Sequence, residues 1–347
     1  METVWIIIVA LMFTTYVVLD GFDFGAGILH LLVAKTDEER RTVFASIGPL
    51  WDGNEVWLLA GGGILFFAFP RAYSAGFSGF YMPLMMVLWL LVLRGISIEF
   101  RSMEKSPLWR SAWDGVFFAS SALMAIVLGA ALGNVIRGVP LNGEGFFSGP
   151  LFTDFLPGIH PGVLDWYTVL IGVFSLVMLA MHGAQFLRMK TEGPVHDRAE
   201  IWARRLWAAV IVVGVPMSIA THFVQPGIFE AALARPTAWV LIPANLAALI
   251  AIPVTMKRGS ELASFLSSSA LIATSLAIAA SGMYPTILRS TLGKENDLTI
   301  TSAAAGTLGL HVGLTFWLVA IVLAIVYFTY LFRSFRGKVV LSGDGGH

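Results

Sequence analysis

Long apolar runs separated by short polar breaks organise the chain from one end to the other. The runs fall at about residues 4–34, 50–70, 79–100, 113–136, 163–188, 205–224, 237–256, 262–284 and 308–332. Segments of about 20 apolar residues cross the roughly 30 Å of bilayer hydrocarbon as α-helices and are far too long for barrel strands. The pattern predicts an all-α polytopic membrane protein with nine transmembrane helices. With Met1 placed outside, 16 Lys and Arg residues fall in inside segments, and only Arg71, Arg137, Arg235, Arg289 and Lys294 fall outside. This asymmetry predicts a periplasmic amino terminus, a cytoplasmic carboxyl terminus and an odd number of spans. The longest connections, near 137–162 and 285–307, hold about 25 residues rich in Gly, Pro, Ser and Thr, too little for a separate domain. Residues 1–347 therefore read as one membrane domain. A faint internal echo relates Ser120-Ser121-Ala122-Leu123 to Ser268-Ser269-Ala270-Leu271, and Asp20-Gly21-Phe22-Asp23 to His182-Gly183-Ala184-Gln185. It divides the chain into a four-helix bundle over about 1–136, a second over about 163–284, and a peripheral helix over about 308–332.

Composition agrees with that architecture and removes several functions. Hydrophobic residues make up 57% of the chain and charged residues only 13%, where soluble domains carry about 25% charged residues. The formal net charge of +0 leaves no basic field for nucleic acid. The absence of cysteine excludes disulfides, thiolate metal sites, iron–sulfur clusters and Cys nucleophiles. The amino terminus lacks a basic region and a small-residue cleavage site, so it reads as the first span rather than a removed signal peptide.

Ionisable residues inside apolar runs cost several kcal/mol unless paired or wet, which makes each a functional candidate. Here they gather. The first run carries Asp20 and Asp23, the second opens with Trp51-Asp52-Gly53-Asn54-Glu55, the third carries Arg94 and Glu99, and Asp114 opens the fourth. All of them map to the cytoplasmic half under the predicted orientation. At 100° per residue Tyr16, Asp20, Asp23, Gly27 and His30 share one helix face, within about 80°. Arg94, Ser97 and Arg101 line up on the third helix, with Glu99 pointing elsewhere. Gly61-Gly62-Gly63 offers a surface for close helix approach. The economical arrangement has Arg94 neutralising one or two of Asp23, Asp52 and Asp114. Five carboxylates, Asp20, Asp23, Asp52, Glu55 and Asp114, against one arginine leave some carboxylates to be protonated or hydrated, as at the mouth of a proton path. The same residues also read as a charge cluster that only fixes helix register. Asp114 further reads as a helix-dipole partner reaching water, and Glu99, Arg101 and Lys105 as side chains snorkelling to the interface.

Four histidines, His30, His182, His222 and His311, fall in two depth layers, the minimum for two bis-histidine haems, with interfacial hydrogen bonding as the plainer role. His160, His196 and His347 lie in loops or at the terminus and are not ligands. Trp5, Trp166, Trp239 and Trp317 read as interface-belt or lipid-facing residues, whereas Trp51 adjoins Asp52. No EF-hand, Walker, zincin or nucleophile-elbow pattern occurs, and no metal site is expected.

Several longer motifs carry a family resemblance. Leu19-Asp20-Gly21-Phe22-Asp23-Phe24-Gly25, Gly48-Pro49-Leu50-Trp51-Asp52-Gly53-Asn54-Glu55-Val56-Trp57, Phe77-Ser78-Gly79-Phe80-Tyr81 and Arg94-Gly95-Ile96-Ser97-Ile98-Glu99-Phe100-Arg101 closely resemble subunit II of the cytochrome bd-type quinol oxidases. The match is dense over about residues 15–115 and extends as topology over the whole chain. The resemblance implies a non-pumping terminal oxidase of the bacterial cytoplasmic (inner) membrane that oxidises quinol, reduces O2 to water and draws protons from the cytoplasm. It further implies a heterodimer whose subunit I holds the quinol site, two haems of b type and one of d type. Subunit II would be a scaffold with a proton path and no catalytic residue of its own. By that likeness Trp51 and Asp52 match the subunit interface, with Asp52 on a proton route, and Asp23, Arg94 and Asp114 match a set that supports assembly of the haem-containing state. Asp20 and Glu55 belong to the same motifs as further proton-path candidates. A structural quinone or lipid on this chain and a small single-helix accessory subunit are further expectations, and the carboxyl-terminal half departs more from the family pattern.

Two other functional classes compete. A proton-coupled secondary transporter would use the intramembrane acids, but no matched pair of Gly/Pro-broken helices accompanies them. A stand-alone dihaem cytochrome b would use the four histidines.

Overall fold

The computed structural model describes residues 1–340, and His347 lies outside the described residues. Each of the nine apolar runs is helical. They correspond to α1 (Glu2–Val33), α3 (Trp51–Ala68), α5 (Tyr81–Phe100), α6 (Pro107–Arg137), α7 (Trp166–Lys190), α8 (Gly193–Val224), α10 (Ala238–Lys257), α11 (Glu261–Met283) and α12 (Thr307–Ser334). Eight of these are long and apolar enough to cross a membrane. The exception is α3, 18 residues long, whose first turns contain Asp52, Asn54 and Glu55.

Three short helices were not legible as apolar runs: α2 (Asp37–Ile47), α4 (Pro70–Gly79) and α9 (Gly227–Leu233). The first is set by a capping box, in which Thr36 Oγ1 accepts from the Glu39 amide at 3.3 Å and Glu39 Oε2 accepts from the Thr36 amide at 3.2 Å. This reciprocal pairing satisfies two amides that a helix start leaves free. A proline at the first position of α4 follows directly on α3, where its missing N–H costs nothing.

The centre of the molecule is α1, which packs against α3, α6, α7 and α11. Every residue from Asp20 to His30 is buried. The tightest crossing is between α1 and α7, where a Cβ on Gly25 would lie 2.6 Å from Gly183 Cα. Only two glycines permit that approach, as in small-residue membrane helix contacts. Gly61-Gly62-Gly63 makes no such crossing within this chain: the nearest atoms to a Cβ on Gly61 belong to the Phe13 ring, and Gly62 and Gly63 face no other element within 4 Å among the described residues.

The two longest connections meet at one end of the bundle. Val139 N donates to Arg289 O at 3.0 Å and Thr291 N to Val139 O at 2.9 Å. Gly138 has φ +102, and a Cβ there would stand 3.1 Å from Arg289 O, so the turn out of α6 requires glycine. Strands β1 (Thr286–Leu288) and β2 (Leu298–Thr299) close this region as a small antiparallel pair. The last helix, α12, lies along α3, with Trp57 and Phe328 ring centroids 5.2 Å apart. Trp5, expected at the interface, is instead buried, and its indole N–H donates to Leu310 O at 3.1 Å.

Candidate functional site

The ionisable side chains of α1, α3 and α5 converge into one polar cluster. Arg94, projecting from α5, donates to Asp20 Oδ1 of α1 at 2.5 Å and to Glu55 Oε1 of α3. Its guanidinium also lies 4.3 Å from the centroid of Phe24, so an aromatic face covers the part of the cation that carboxylates do not. Asp20 and Asp23 share a face of α1, Glu55 follows Asp52 by one helical turn, and Arg94 occupies the single buried stripe of α5 with Ser97.

This pairing corrects the expected one. Arg94 does not neutralise Asp23, Asp52 or Asp114; its partners are Asp20 and Glu55. Asp23 instead accepts from Asn54 Nδ2 at 2.8 Å, and the Asn54 amide also reaches Leu19 O at 3.3 Å. Asn54, a member of the second motif, ties α3 to α1. Asp52 is exposed at the start of α3. Trp51, beside it, sets its ring where a Cβ on Gly95 would stand 3.3 Å away, so Gly95 lets the indole lie against α5.

Burial therefore rises in steps through this cluster. Asp52 is exposed, Glu55 is 23% exposed, and Arg94, Asp20 and Asp23 are buried. Five buried polar atoms of the group, Tyr16 Oη, Asp20 Oδ2, Asp23 Oδ1, Asn54 Oδ1 and Arg94 Nε, have no partner among the described residues.

A second cluster surrounds Asp114. That residue lies a full two turns inside α6 and is buried, rather than opening a helix toward water. It accepts from or pairs with His30 Nε2 at 2.7 Å, Arg101 Nε at 2.6 Å and Arg40 Nη1 at 2.8 Å. Arg101 does not snorkel, being buried between Asp114 and Asp37, whose Oδ1 takes its Nη2 at 2.8 Å. The polar layer thus contains three arginines, not one. Glu99 is exposed, as its helix face requires.

Two further buried networks were missed. Arg137, counted as an outside loop charge, is buried against Asp165 and donates to Asn134 Oδ1 at 2.7 Å. Asp165 also caps α7, its Oδ1 accepting from the amides of Tyr167 and Thr168 at 2.9 and 2.8 Å. In the other network Gln185 Oε1 accepts from Ser264 Oγ at 2.7 Å and from Arg188 Nη1 at 2.8 Å.

The four histidines sit in separate environments. His182 has both ring nitrogens engaged, Nδ1 with Ser268 Oγ at 2.7 Å and Nε2 with Val18 O at 3.0 Å. His30 uses Nε2 on Asp114, and His222 and His311 are exposed. Among the described residues, no group of three His, Cys, Asp or Glu side chains is arranged to hold a metal ion.

Comparison with known proteins gives one consistent result. A family model described as cytochrome bd terminal oxidase subunit II matches residues 1–335. The chain is 30% identical to the probable cytochrome oxidase subunit 2 of Haemophilus influenzae, covering 97% of this chain and 94% of the relative. It is 29% identical to the cytochrome bd-I ubiquinol oxidase subunit 2 of Escherichia coli, with the same coverage, 97% and 94%. It is 30% identical to the cytochrome bd ubiquinol oxidase subunit 2 of Bacillus subtilis, covering 90% and 89%. The solved structure of the bd oxidase from Geobacillus thermodenitrificans shares the fold, with a TM-score of 0.70 at 20% identity over 96% of this chain and 98% of that one.

Proposed function

The chain belongs to the subunit II family of the cytochrome bd terminal oxidases, and from that premise we propose that it conducts protons toward a haem-bearing partner through the Asp52, Glu55 and Asp20 side chains. It is a multi-pass membrane protein and one subunit of a haem-dependent quinol oxidase, an oxidoreductase that it forms with subunit I. In the finer reading, quinol and O2 react on subunit I, which holds the b- and d-type haems in the bacterial inner membrane. Support comes from the histidine geometry, since His182 offers no free ring nitrogen.

The stepwise burial of acids carries the proton proposal. Asp52 takes protons from water, Glu55 lies one helical turn further along α3 and is less exposed, and Asp20 completes the set against Arg94. Buried polar atoms are normally satisfied by protein or water, so the five unpartnered atoms of this cluster favour a hydrated path over a dry ion pair. Asp23 with Asn54, Arg94, and Asp114 with Arg101 fix α1, α3, α5 and α6 relative to one another, and Trp51 lies beside Asp52 toward the partner. The periplasmic amino terminus places these acids on the cytoplasmic side, where oxygen reduction draws its protons.

With Asp52 outermost, Glu55 paired to Arg94 of α5 and Asn54 donating to Asp23 of α1, α3 serves as a ninth span despite its modest apolarity. Bundles over about 1–136 and 163–284 with α12 at the periphery, a structural quinone or lipid on this chain and a small single-helix accessory subunit complete the proposed assembly.

A reduced-minus-oxidised visible spectrum tests the division of labour. The chain purified alone is expected to be colourless, with b- and d-type bands only when co-expressed with the neighbouring large subunit. A b-type spectrum from the single chain would contradict it.

A further inference from the structure

Beside the Asp114 cluster, a cleft of about 250 Å³ opens between the end of α1, the first turn of α2 and the start of α6, lined chiefly by Lys35, Asp37, Arg40, Lys105 and Arg110. Its charges do not balance. Among the described residues Asp37 is the only lining carboxylate, and it already accepts from Arg101 at 2.8 Å and Arg110 at 2.7 Å. Arg40 Nη1 is committed to Asp114, while its Nε is buried without a partner. Lys35 Nζ reaches only a neutral carbonyl, Leu31 O, at 3.0 Å. Lys105 is exposed and has no ion-pair partner among the described residues. Among the described residues, the lining side chains Lys35, Arg40, Lys105 and Arg110 stand against Asp37, an excess of three positive charges. Glu38 and Glu104 do not line the cleft.

Two further features define what would fit. The 31-residue α6 begins at the cleft with Pro107, and Ser106 provides no side-chain cap, so the positive end of a long helix faces the opening uncompensated. Immediately beside the charges, Met103 and Leu108 are 65% and 81% exposed, at the ends of the apolar spans α5 and α6. A phosphate seated among the cations would leave its attached acyl chains lying over these apolar side chains.

We propose that this cleft binds the phosphate of an anionic phospholipid. Lys35, Lys105 and the α6 amino-terminal turn attract the phosphate, and Arg110 and Arg40 supply guanidinium N–H donors beyond those spent on Asp37 and Asp114. The excess positive charge disfavours zwitterionic lipids, whose ammonium or choline group would be brought into the same field. The inference needs only the membrane-spanning architecture and does not depend on the proton route.

The test is native mass spectrometry of the delipidated two-subunit complex titrated with phosphatidylglycerol or phosphatidylcholine. The Lys35→Gln/Lys105→Gln variant is expected to weaken phosphatidylglycerol binding roughly 25-fold, since each surface Lys contributes on the order of a fivefold attraction. Phosphatidylcholine adducts should be weaker than phosphatidylglycerol adducts and unchanged by the substitutions. An unaltered visible spectrum would report intact assembly, and Lys105→Arg should retain the lipid. If the double variant does not assemble, Lys105→Gln alone decides, because that exposed side chain makes no hydrogen bond or ion pair among the described residues. Equal phosphatidylglycerol occupancy in wild type and variant would overturn the proposal. Displacement of the lipid by millimolar inorganic phosphate would also overturn it, assigning the cleft to a free anion.

Discussion

Arg94 Nη1 and Asp20 Oδ1 meet at 2.5 Å between α5 and α1, with neither side chain more than 1% exposed. An ion pair this deep gains little net stability over an apolar pair, but losing one member strands a charge in a medium that cannot solvate it. Arg94→Ala leaves Asp20 and Glu55 facing each other without a cation. We expect a destabilisation of about 3–5 kcal/mol, visible as loss of haem from the purified complex. Combining Arg94→Gln with Asp20→Asn should recover part of that haem.

The Arg137–Asp165 pair predicts a graded series. Asp165→Ala removes both the partner of a buried arginine and the cap of α7, and should cost about 3 kcal/mol or more. Asp165→Asn keeps a capping oxygen and should fall between Ala and wild type. Thermal denaturation of the detergent-solubilised complex would order the three proteins; equal losses for Ala and Asn would show that the cap contributes nothing.

The α1–α7 crossing predicts a sharp steric limit. A Cβ on Gly183 would lie 2.5 Å from the Ala26 amide nitrogen, and backbone cannot yield as a flexible side chain does. Gly183→Ala should therefore destabilise by about 1–3 kcal/mol. Gly115→Ala, with no atom within 4 Å of its new methyl, should have no such effect in the same melting assay.

Outside the spans, Glu39 reports on the contact between α2 and α8. The Arg198 guanidinium, which donates to both carboxylate oxygens at 2.8 and 3.0 Å, holds Glu39 at a pKa of about 2 against an ordinary 4.5. A depressed folded value means the stabilisation is fully present above about pH 4.5 and is lost as pH falls toward 2. Solvent screening limits it to about 1 kcal/mol at most. Glu39→Gln should lower stability at neutral pH by that amount and flatten the acid limb between those values, as measured by melting temperature against pH.

Hydropathy alone located all nine long helices, because an apolar run of that length has few alternatives. It missed α2 because that helix is amphipathic and polar on average, and its only local signal is the Thr36/Glu39 capping box. Asp20, Asp23, Glu55 and Arg94 stood out as charges within apolar runs, so the membership of the central cluster was legible. Its pairing was not: which carboxylate meets Arg94 depends on helix rotation and depth, and several acids lie within reach of one arginine. Arg101 was assigned to the interface from its place at the end of a run, although its alignment with Arg94 and Ser97 on one face already pointed inward. Arg137 carried no such sign, since its burial is created by the 138–165 loop folding back over the end of α6.

Protonic access through Asp52 and Glu55 is the central claim, and quinol-driven oxygen consumption by the assembled complex tests it most directly. The comparison is between wild type, Asp52→Asn and Glu55→Gln, each normalised to haem content and followed across pH. Losing a proton-transfer group should slow turnover by about tenfold or more, most severely at high pH, where protons in the bulk are scarce. Wild-type turnover at every pH, in Asp52→Asn and Glu55→Gln complexes with full haem content, would contradict it.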